Sequence, residues 1–167
     1  MTIRLRILVM CSVVLLASVL SNPVWAQASP AQKGLTLELA TKAAMAAVQQ
    51  CLDNGFKVSV AIVDHSGLLK VQMKADGAGP HTLDSSFRKA YTSNSLRGPT
   101  QRFAVLTANN PELKALGQMN EKILLLGGGF PITMNGEVVG GVGVGGAPGI
   151  EHDEVCAEAA LKVLNPE

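Results

Sequence analysis

The sequence predicts a single α/β domain built around an antiparallel β-sheet. Alanine-rich segments with helical periodicity lie at residues 36–54 and 150–164, towards the two ends of the chain. Between them lie short segments of alternating apolar residues, joined by residues typical of tight turns. The order helix, hairpin, helix, irregular segment, three strands and helix predicts a five-stranded antiparallel sheet, with the two terminal helices side by side on one face.

Residues 1–26 have the pattern of a cleaved secretory signal peptide. Two early arginines form a basic start, residues 7–20 are apolar or small, and Val24 and Ala26 occupy the positions that signal peptidase reads. The apolar stretch is shorter than the roughly 20 residues that a membrane-spanning helix needs. We therefore expect an exported protein, periplasmic or extracellular, with a retained membrane anchor as the weaker alternative.

The mature region has the size of one domain and little net charge. Residues 27–34 have no apolar periodicity and are expected to form a flexible N-terminus, so the domain spans residues 35–167. Because Arg4 and Arg6 leave with the signal peptide, the formal charge falls from +1 to −1. This balance offers no basic surface for binding nucleic acid or an anionic membrane.

The first elements are a helix and a hairpin. Thr36 is a predicted N-cap and Asn54-Gly55 a predicted stop, and the apolar residues between them recur on one helical face. Residues 58–63 and 69–74 then alternate in polarity on either side of a turn at 64–67. This pattern predicts two antiparallel strands.

The middle of the chain is predicted to be more irregular. A Gly-Pro loop precedes a second helix, on which one apolar stripe contains Leu83, Phe87 and Tyr91. Prolines interrupt residues 98–120, which predicts short helical turns joined by bends. The apolar residues 123–126 are predicted to form the third strand of the sheet.

Gly141, Gly143 and Gly146 have the G-x-G-x-x-G spacing that often binds a dinucleotide. Such a motif should leave a parallel strand and open a helix, with an acidic residue about 20 positions later. Here Asn135-Gly136 suits a two-residue hairpin turn, which places the glycines inside an antiparallel strand. We therefore predict that the missing side chains let a helix or a neighbouring subunit approach the sheet closely.

Two cysteines, Cys51 and Cys156, remain after removal of the signal peptide, on the apolar faces of the first and last helices. If these helices pack side by side, an oxidising compartment permits a disulfide between them. The alternative is two buried thiols that pack as small hydrophobic side chains.

Four segments of the mature chain are distinctive in combination. They are VAIVDHSGLLK at 60–70, DGAGPHTLDSSFRKAYTS at 76–93, GGGFPITMNGEVVGGVGVGGAPG at 127–149 and HDEVCAEAAL at 152–161. With them, nearly all of the mature chain resembles the GlcG/HbpS family, also called the haem-degrading domain family, which includes the C-terminal domain of PduO-type proteins. The resemblance implies a profilin-like α/β/α sandwich, frequent homo-oligomers and, for some members, haem binding.

The resemblance raises the question of which residues would hold a haem. Haem iron accepts His, Met, Tyr or Cys as an axial ligand, and a haem pocket needs apolar walls with cations near the propionates. His81 is the first candidate ligand because it follows a flexible Gly-Pro loop. Arg88, Lys89 and Tyr91 lie within three turns of it and complete the candidate haem-binding set. The alternative for His81 is a capping or loop residue exposed to water.

Other residues with chemical potential fit structural roles better. His65 lies at the predicted hairpin turn, His152 in the first turn of the last helix, and Met73 in a strand that faces the core. The three histidines have none of the spacings typical of a zinc site. Serines near His81 lie on no G-x-S-x-G motif, so a hydrolytic enzyme is disfavoured.

Two classes of function therefore remain. The first is an exported, oligomeric protein that binds haem or a related tetrapyrrole, in haem or iron handling or in redox sensing, with turnover of the haem left open. The alternative is an oligomeric scaffold, or a small-metabolite sensor or enzyme of the glycolate or propanediol utilisation type, that binds no tetrapyrrole.

Overall fold

The computed structural model describes residues 34–164. The signal peptide predicted at 1–26 lies outside the described residues, as do residues 27–33 of the predicted flexible N-terminus. The helices are α1 (Leu37–Asp53), α2 (His81–Leu96), α3 (Thr100–Asn109) and α4 (Ile150–Leu164), and Pro111–Gln118 forms a 3-10 segment. The strands are β1 (Ser59–Asp64), β2 (Leu69–Lys74), β3 (Gly129–Met134) and β4 (Glu137–Gly145).

The strands form one antiparallel sheet in the order β2-β1-β4-β3, with helices on both faces. Val60 and Ile62 of β1 pack in a core with the alanine-rich faces of α1 and α4. Ala61 and Val63, which point to the opposite face of the same strand, pack against Ala90 of α2. The predicted α/β/α sandwich, with both terminal helices on one face, is confirmed.

The prediction of a fifth strand at residues 123–126 was wrong. Ile123 is buried, but its N–H donates to the carbonyl of Asn120 at 3.0 Å, in a local turn. The N–H of Leu124 donates to Thr92 Oγ1 of α2 at 2.8 Å. Because these backbone groups bond locally and to a helix side chain, the segment adds no strand, and the sheet of the described residues has four. A short apolar run by itself does not distinguish a strand from a buried irregular segment.

The predicted hairpin and the predicted role of its glycines are confirmed. Asn135 and Gly136 have φ values of 51° and 81°, as a two-residue type I′ turn requires. In β4, a Cβ atom on Gly141 would collide with the carbonyl oxygen of Ala90, and one on Gly143 with that of Ser86. The missing side chains thus let the backbone of α2 lie directly on the sheet.

Both terminal helices carry alanine on the faces that meet each other and the sheet. Thr36 caps α1 as predicted, because its Oγ1 accepts a hydrogen bond from the N–H of Leu39 at 3.2 Å. Cys51 of α1 and Cys156 of α4 are joined by a disulfide, with their Cα atoms 5.5 Å apart. Between residues 34 and 164, no helix combines the length and apolar character needed to cross a bilayer.

Candidate functional site

The turn of the first hairpin and α2 enclose an apolar groove of about 330 Å³. Three leucines on its walls are exposed, and Leu68 is the most exposed of them, at 63%. Exposed apolar side chains gathered in a concave surface are typical of a ligand-binding site. The groove is lined by Gly67, Leu68, Leu69, Gln72, Leu83, Asp84, Phe87 and Lys122.

Local hydrogen bonds fix the two sides of this groove. In the hairpin turn, Asp64 Oδ1 accepts from the N–H groups of Ser66 and Leu68, at 2.9 and 3.0 Å. This is the turn chemistry for which aspartate is favoured. Gln72 Nε2 of β2 donates to the carbonyl of Leu83 at 2.7 Å. The hairpin is therefore attached to the first turn of α2, and the groove between them is preformed.

Tyr91 packs against the hairpin turn at Gly67. A Cβ atom on Gly67 would lie 2.9 Å from Tyr91 Cε2, and the φ of +76° also favours glycine there. The tyrosine ring lies 6.3 Å from the ring of Phe87, and Lys122 Nζ lies 5.4 Å from the tyrosine ring centroid, in a cation–π contact. The predicted apolar stripe of α2 thus forms the helix side of the site.

A second, polar pocket of about 230 Å³ shares Gly67 with the groove. Asn94 is 5% exposed, and its Nδ2 donates to the carbonyl of His65 at 3.2 Å. Arg97, the C-cap of α2, has a left-handed conformation with φ of 57°. The pocket is lined by His65, Ser66, Gly67, Tyr91, Asn94, Ser95 and Arg97.

His81 is the first residue of α2 and is exposed. Its ring folds over Gly79, where its Cε1 would lie 2.8 Å from an added Cβ atom. It lines neither the groove nor the polar pocket, although Leu83, two residues later, lines the groove. Its assignment as an iron ligand stays a prediction.

Arg88 and Lys89 do not join Tyr91 in one site. Arg88 Nη2 donates to the carbonyl of Ile123 at 2.9 Å and so attaches the segment before β3 to α2. Lys89 is only 2% exposed, and its Nζ contacts Asp153 Oδ2 at 2.7 Å and the carbonyl of Val144 at 2.9 Å. The ammonium group of Lys89 is thus enclosed between α2, β4 and α4 and is paired with Asp153, away from both cavities. Its assignment as a cation near haem propionates stays a prediction that this position does not support.

The Lys89–Asp153 pair is an interior ion pair with a structural role. Asp153 is 4% exposed, and its Oδ1 accepts from the N–H of Ala147 at 3.1 Å. Burial raises the pKa of the Asp153 carboxyl, and the Lys89 ammonium acts in the opposite direction. Burial also raises the pKa of Glu154, against a hydrogen bond from the backbone of Gly128. These contacts join the start of α4 to the end of the sheet.

Sequence reasoning missed the residues that complete the site. No sequence motif includes Lys122 or Asn94. Lys122 comes to the groove from an irregular segment far along the chain, and Asn94 has no sequence feature that distinguishes it from other polar helix residues. The exposed Leu68 and Leu69 gave a usable signal, since two successive leucines at a hairpin turn cannot both face the core. In the described part of the chain, no cluster of three or more His, Cys, Asp or Glu residues is arranged to hold a metal ion.

Comparisons with known proteins place the chain in a family. The sequence model of the family described as "Haem degrading protein HbpS-like" matches residues 35–162. An uncharacterised 15.0 kDa protein from the dhaT-dhaS intergenic region of Citrobacter freundii is 35% identical over 128 residues, 76% of this chain and 89% of that protein. The corrinoid adenosyltransferase PduO of Citrobacter freundii is 26% identical over 121 residues, which are 72% of this chain but only 36% of that protein.

A solved structure agrees with this placement. The crystal structure of a double mutant of HbpS from Streptomyces reticuli superposes with a TM-score of 0.76 and 42% sequence identity, and covers 88% of this chain and 99% of that one. The chain therefore belongs to this HbpS-like family.

Proposed function

We propose that the protein binds haem in the apolar groove beside α2. The description of its family and the 42% identity with HbpS support a haem-related role. The observation that carries the proposal is the set of exposed leucines, Leu68, Leu69 and Leu83, gathered with Phe87 in one groove. Such walls fit the apolar face of a tetrapyrrole, and covering them with a ligand removes apolar surface from water.

Charged and polar residues near the groove are candidates to contact the propionates and the iron of the haem. Lys122 provides a cation at the groove, where it would pair with a propionate. Arg88 keeps part of its side chain exposed near Asp84 and is the second candidate for this role. His81 remains the proposed axial ligand, although its ring lies over Gly79 and lines neither cavity, so its side chain would have to turn towards Leu83 to reach a haem in the groove. Tyr91 would hold the groove side of α2 in position. When bound, the haem iron would supply redox and ligand-binding chemistry, while the groove residues orient the macrocycle and exclude water.

Export and self-association belong to the same proposal. Export is supported by the signal pattern of residues 1–26 and by the disulfide, since disulfides persist in oxidising compartments. Self-association is supported by several exposed apolar side chains on α3 and the segment after it. These are Val105, Leu106, Leu113, Met119 and Leu126.

Titration of the purified protein with hemin tests the proposal. We expect a saturable Soret band shifted from that of free hemin. Leu68→Asp places a charge in the groove and should weaken hemin binding by about tenfold or more. Leu37→Asp is the matched control, because Leu37 is 61% exposed, close to the 63% of Leu68, and lies on α1 away from the groove. His81→Ala should change the Soret position, whereas His152→Ala should leave it unchanged.

Each result bears on a different part of the proposal. A spectrum identical to that of free hemin at all ratios would refute haem binding. Equal hemin affinity of Leu68→Asp and Leu37→Asp would remove the haem from this groove. An unchanged spectrum of His81→Ala would exclude His81 as the axial ligand. Light scattering of wild type and Leu106→Asp, with the variant expected to be smaller, tests self-association.

A further inference from the structure

The contact between Gly67 and Tyr91 separates the groove from the polar pocket. The groove, of about 330 Å³, and the pocket, of about 230 Å³, meet at Gly67, which lines both. Small-molecule sites usually enclose about 300–1,000 Å³, so each cavity alone is near or below the lower limit, whereas the two joined would lie well within the range. A tetrapyrrole has an apolar macrocycle and polar propionates, and it needs the larger space.

Residues 64–68 of the first hairpin, which we call the turn segment, are joined by hydrogen bonds to one another. Asp64 Oδ1 accepts from the N–H groups of Ser66 and Leu68. The carbonyl of Asp64 accepts from the N–H of Gly67 at 2.9 Å, and the N–H of Asp64 donates to the carbonyl of Leu68 at 2.9 Å. Because these bonds lie within the turn segment, it can move as a unit without breaking them.

A β-bulge lies between the turn segment and the part of β2 that is attached to α2. The register of β1 and β2 shifts between Ile62 and Val63, so that Lys70 is an extra residue in β2. The ladder of hydrogen bonds is disrupted at a bulge and the strand bends there. Beyond the bulge, Gln72 Nε2 holds β2 to the carbonyl of Leu83. The turn segment can therefore swing at the bulge while the rest of the hairpin stays in place.

Few contacts hold the turn segment against α2. Among the described residues, one hydrogen bond joins the two, from Asn94 Nδ2 to the carbonyl of His65 at 3.2 Å. The other end of the same amide, Asn94 Oδ1, is buried without a partner, and an unpaired buried acceptor costs about as much free energy as one hydrogen bond contributes. Leu68 is 63% exposed, so its side chain adds little burial. The attached and released positions of the turn segment are therefore close in free energy.

We propose that the turn segment is a lid that swings at the β-bulge, and that Asn94 is the positioning residue that holds it closed. When the lid opens, the contact between Gly67 and Tyr91 breaks, and the groove and the polar pocket become one cleft that a tetrapyrrole can enter. Water then reaches the Asn94 amide and satisfies Oδ1. The role of the lid in haem entry rests on the proposed function, whereas its movement requires no haem.

Fluorescence quenching by acrylamide measures the lid without haem. Tyr91 is the single tyrosine, and Trp25, the single tryptophan, leaves with the predicted signal peptide. Gly67→Asn should hold the lid open, because asparagine tolerates the positive φ but its Cβ would lie 2.9 Å from Tyr91 Cε2. Gly136→Asn is the matched control, since its φ of +81° is close to the +76° of Gly67 and its Cβ would meet nothing within 4 Å. We expect stronger quenching of Tyr91 in Gly67→Asn and no change in Gly136→Asn.

Asn94→Asp tests the hydrogen bond that closes the lid. The variant keeps the shape of the side chain but replaces the NH2 donor by an oxygen that, when ionised, cannot donate to the carbonyl of His65. Asn110→Asp is the matched control, because Asn110 Nδ2 donates to the carbonyl of Leu106 at 2.7 Å and lines neither cavity. We expect Asn94→Asp to increase the quenching of Tyr91. In stopped-flow mixing with hemin its association rate constant should rise about tenfold, the factor that corresponds to one hydrogen bond, since a larger fraction of the protein is open.

The two measurements separate the lid from the haem proposal. Equal quenching of Tyr91 in wild type, Gly67→Asn and Asn94→Asp would refute the lid, whether or not hemin binds. Slower hemin association in both variants would refute the role of the lid in haem entry, since a purely structural role of the turn predicts this result. If hemin binds to none of the proteins, the haem proposal fails, while stronger quenching in both variants still supports a mobile lid. Gly67→Asn remains decisive if circular dichroism shows that Asn94→Asp does not fold, because it leaves Asn94 unchanged.

Discussion

Replacement of Gly143 by alanine tests the contact that holds α2 on the sheet. A Cβ atom at this position would overlap the carbonyl oxygen of Ser86 and the backbone nitrogen of Ala90, and would lie 3.0 Å from Lys89 Cβ. The two nearest atoms belong to the helix backbone, so a change of side-chain rotamer does not remove the overlap. The helix has to move away from β4 as a unit.

The expected loss of stability follows from two opposing effects. Forcing an extra group into a packed core costs about 1–3 kcal/mol, and backbone obstruction points to the upper end of this range. Replacing glycine by alanine also restricts the unfolded chain, which stabilises the fold by about 0.4–1 kcal/mol. We therefore expect Gly143→Ala to lower the free energy of unfolding by about 2 kcal/mol or more.

Urea denaturation of the oxidised protein measures this change. The midpoint should fall while the m-value stays constant, since the same surface is exposed on unfolding. Gly117→Ala is the control, because its added Cβ would meet only Leu125, at 3.5 Å and beyond, and its stability should change by no more than about 0.5 kcal/mol. If Gly143→Ala were as stable as Gly117→Ala, the close approach of α2 to β4 would not depend on the missing side chain.

Three further predictions concern buried charges and the disulfide. Lys89→Met leaves Asp153 buried without its partner and should lower the free energy of unfolding, measured by urea denaturation, by about 3–5 kcal/mol. The double variant Lys89→Met/Asp153→Asn should recover part of this loss. Because the pKa of the Glu154 carboxyl is raised in the fold, the folded state favours the protonated carboxyl, and this contribution to stability is lost as the pH rises and the carboxyl ionises. The stability of Glu154→Gln relative to wild type should therefore increase from about pH 4 to about pH 7. Replacement of both Cys51 and Cys156 by alanine opens a link across 105 positions and should cost about 2–5 kcal/mol.

Clear results would contradict each of these three. A single Lys89→Met variant as stable as wild type would mean that Asp153 is not enclosed in the fold. A pH-independent difference between Glu154→Gln and wild type would refute the raised pKa of that carboxyl. Equal stability with and without the two cysteines would show that the disulfide does not constrain the unfolded chain.

Local pattern was sufficient to predict most of the fold. The alternation of residues 58–63 and 69–74 gave the first hairpin, and Asn135-Gly136 gave the second. These signals are short-range, because alternation reports which side of a strand is buried and the turn residues report φ. The strand predicted at residues 123–126 is absent because a short apolar run indicates that a segment is buried but does not indicate the hydrogen-bond partners of its backbone.

The candidate site was only partly predictable. The stripe of Leu83, Phe87 and Tyr91 was found from its spacing, and it forms the helix side of the groove and pocket. The inward orientation of the Lys89 side chain could not be predicted, because a lysine on a helix is expected to be exposed unless its partner is known. Asp153, its partner, follows 64 positions later, and nothing in the sequence marks the two as a pair.

By itself, the sequence determined which faces of each helix and strand are apolar, where the chain turns, and that the glycines of β4 must admit a close neighbour. These properties depend on residues within a few positions of one another. The tertiary structure alone decided that the hairpin turn meets α2 to form a groove, that Asn94 keeps an unpaired oxygen, and that Lys89 points inward. Such contacts join segments tens of residues apart, and they are set by how the packed layers fit together.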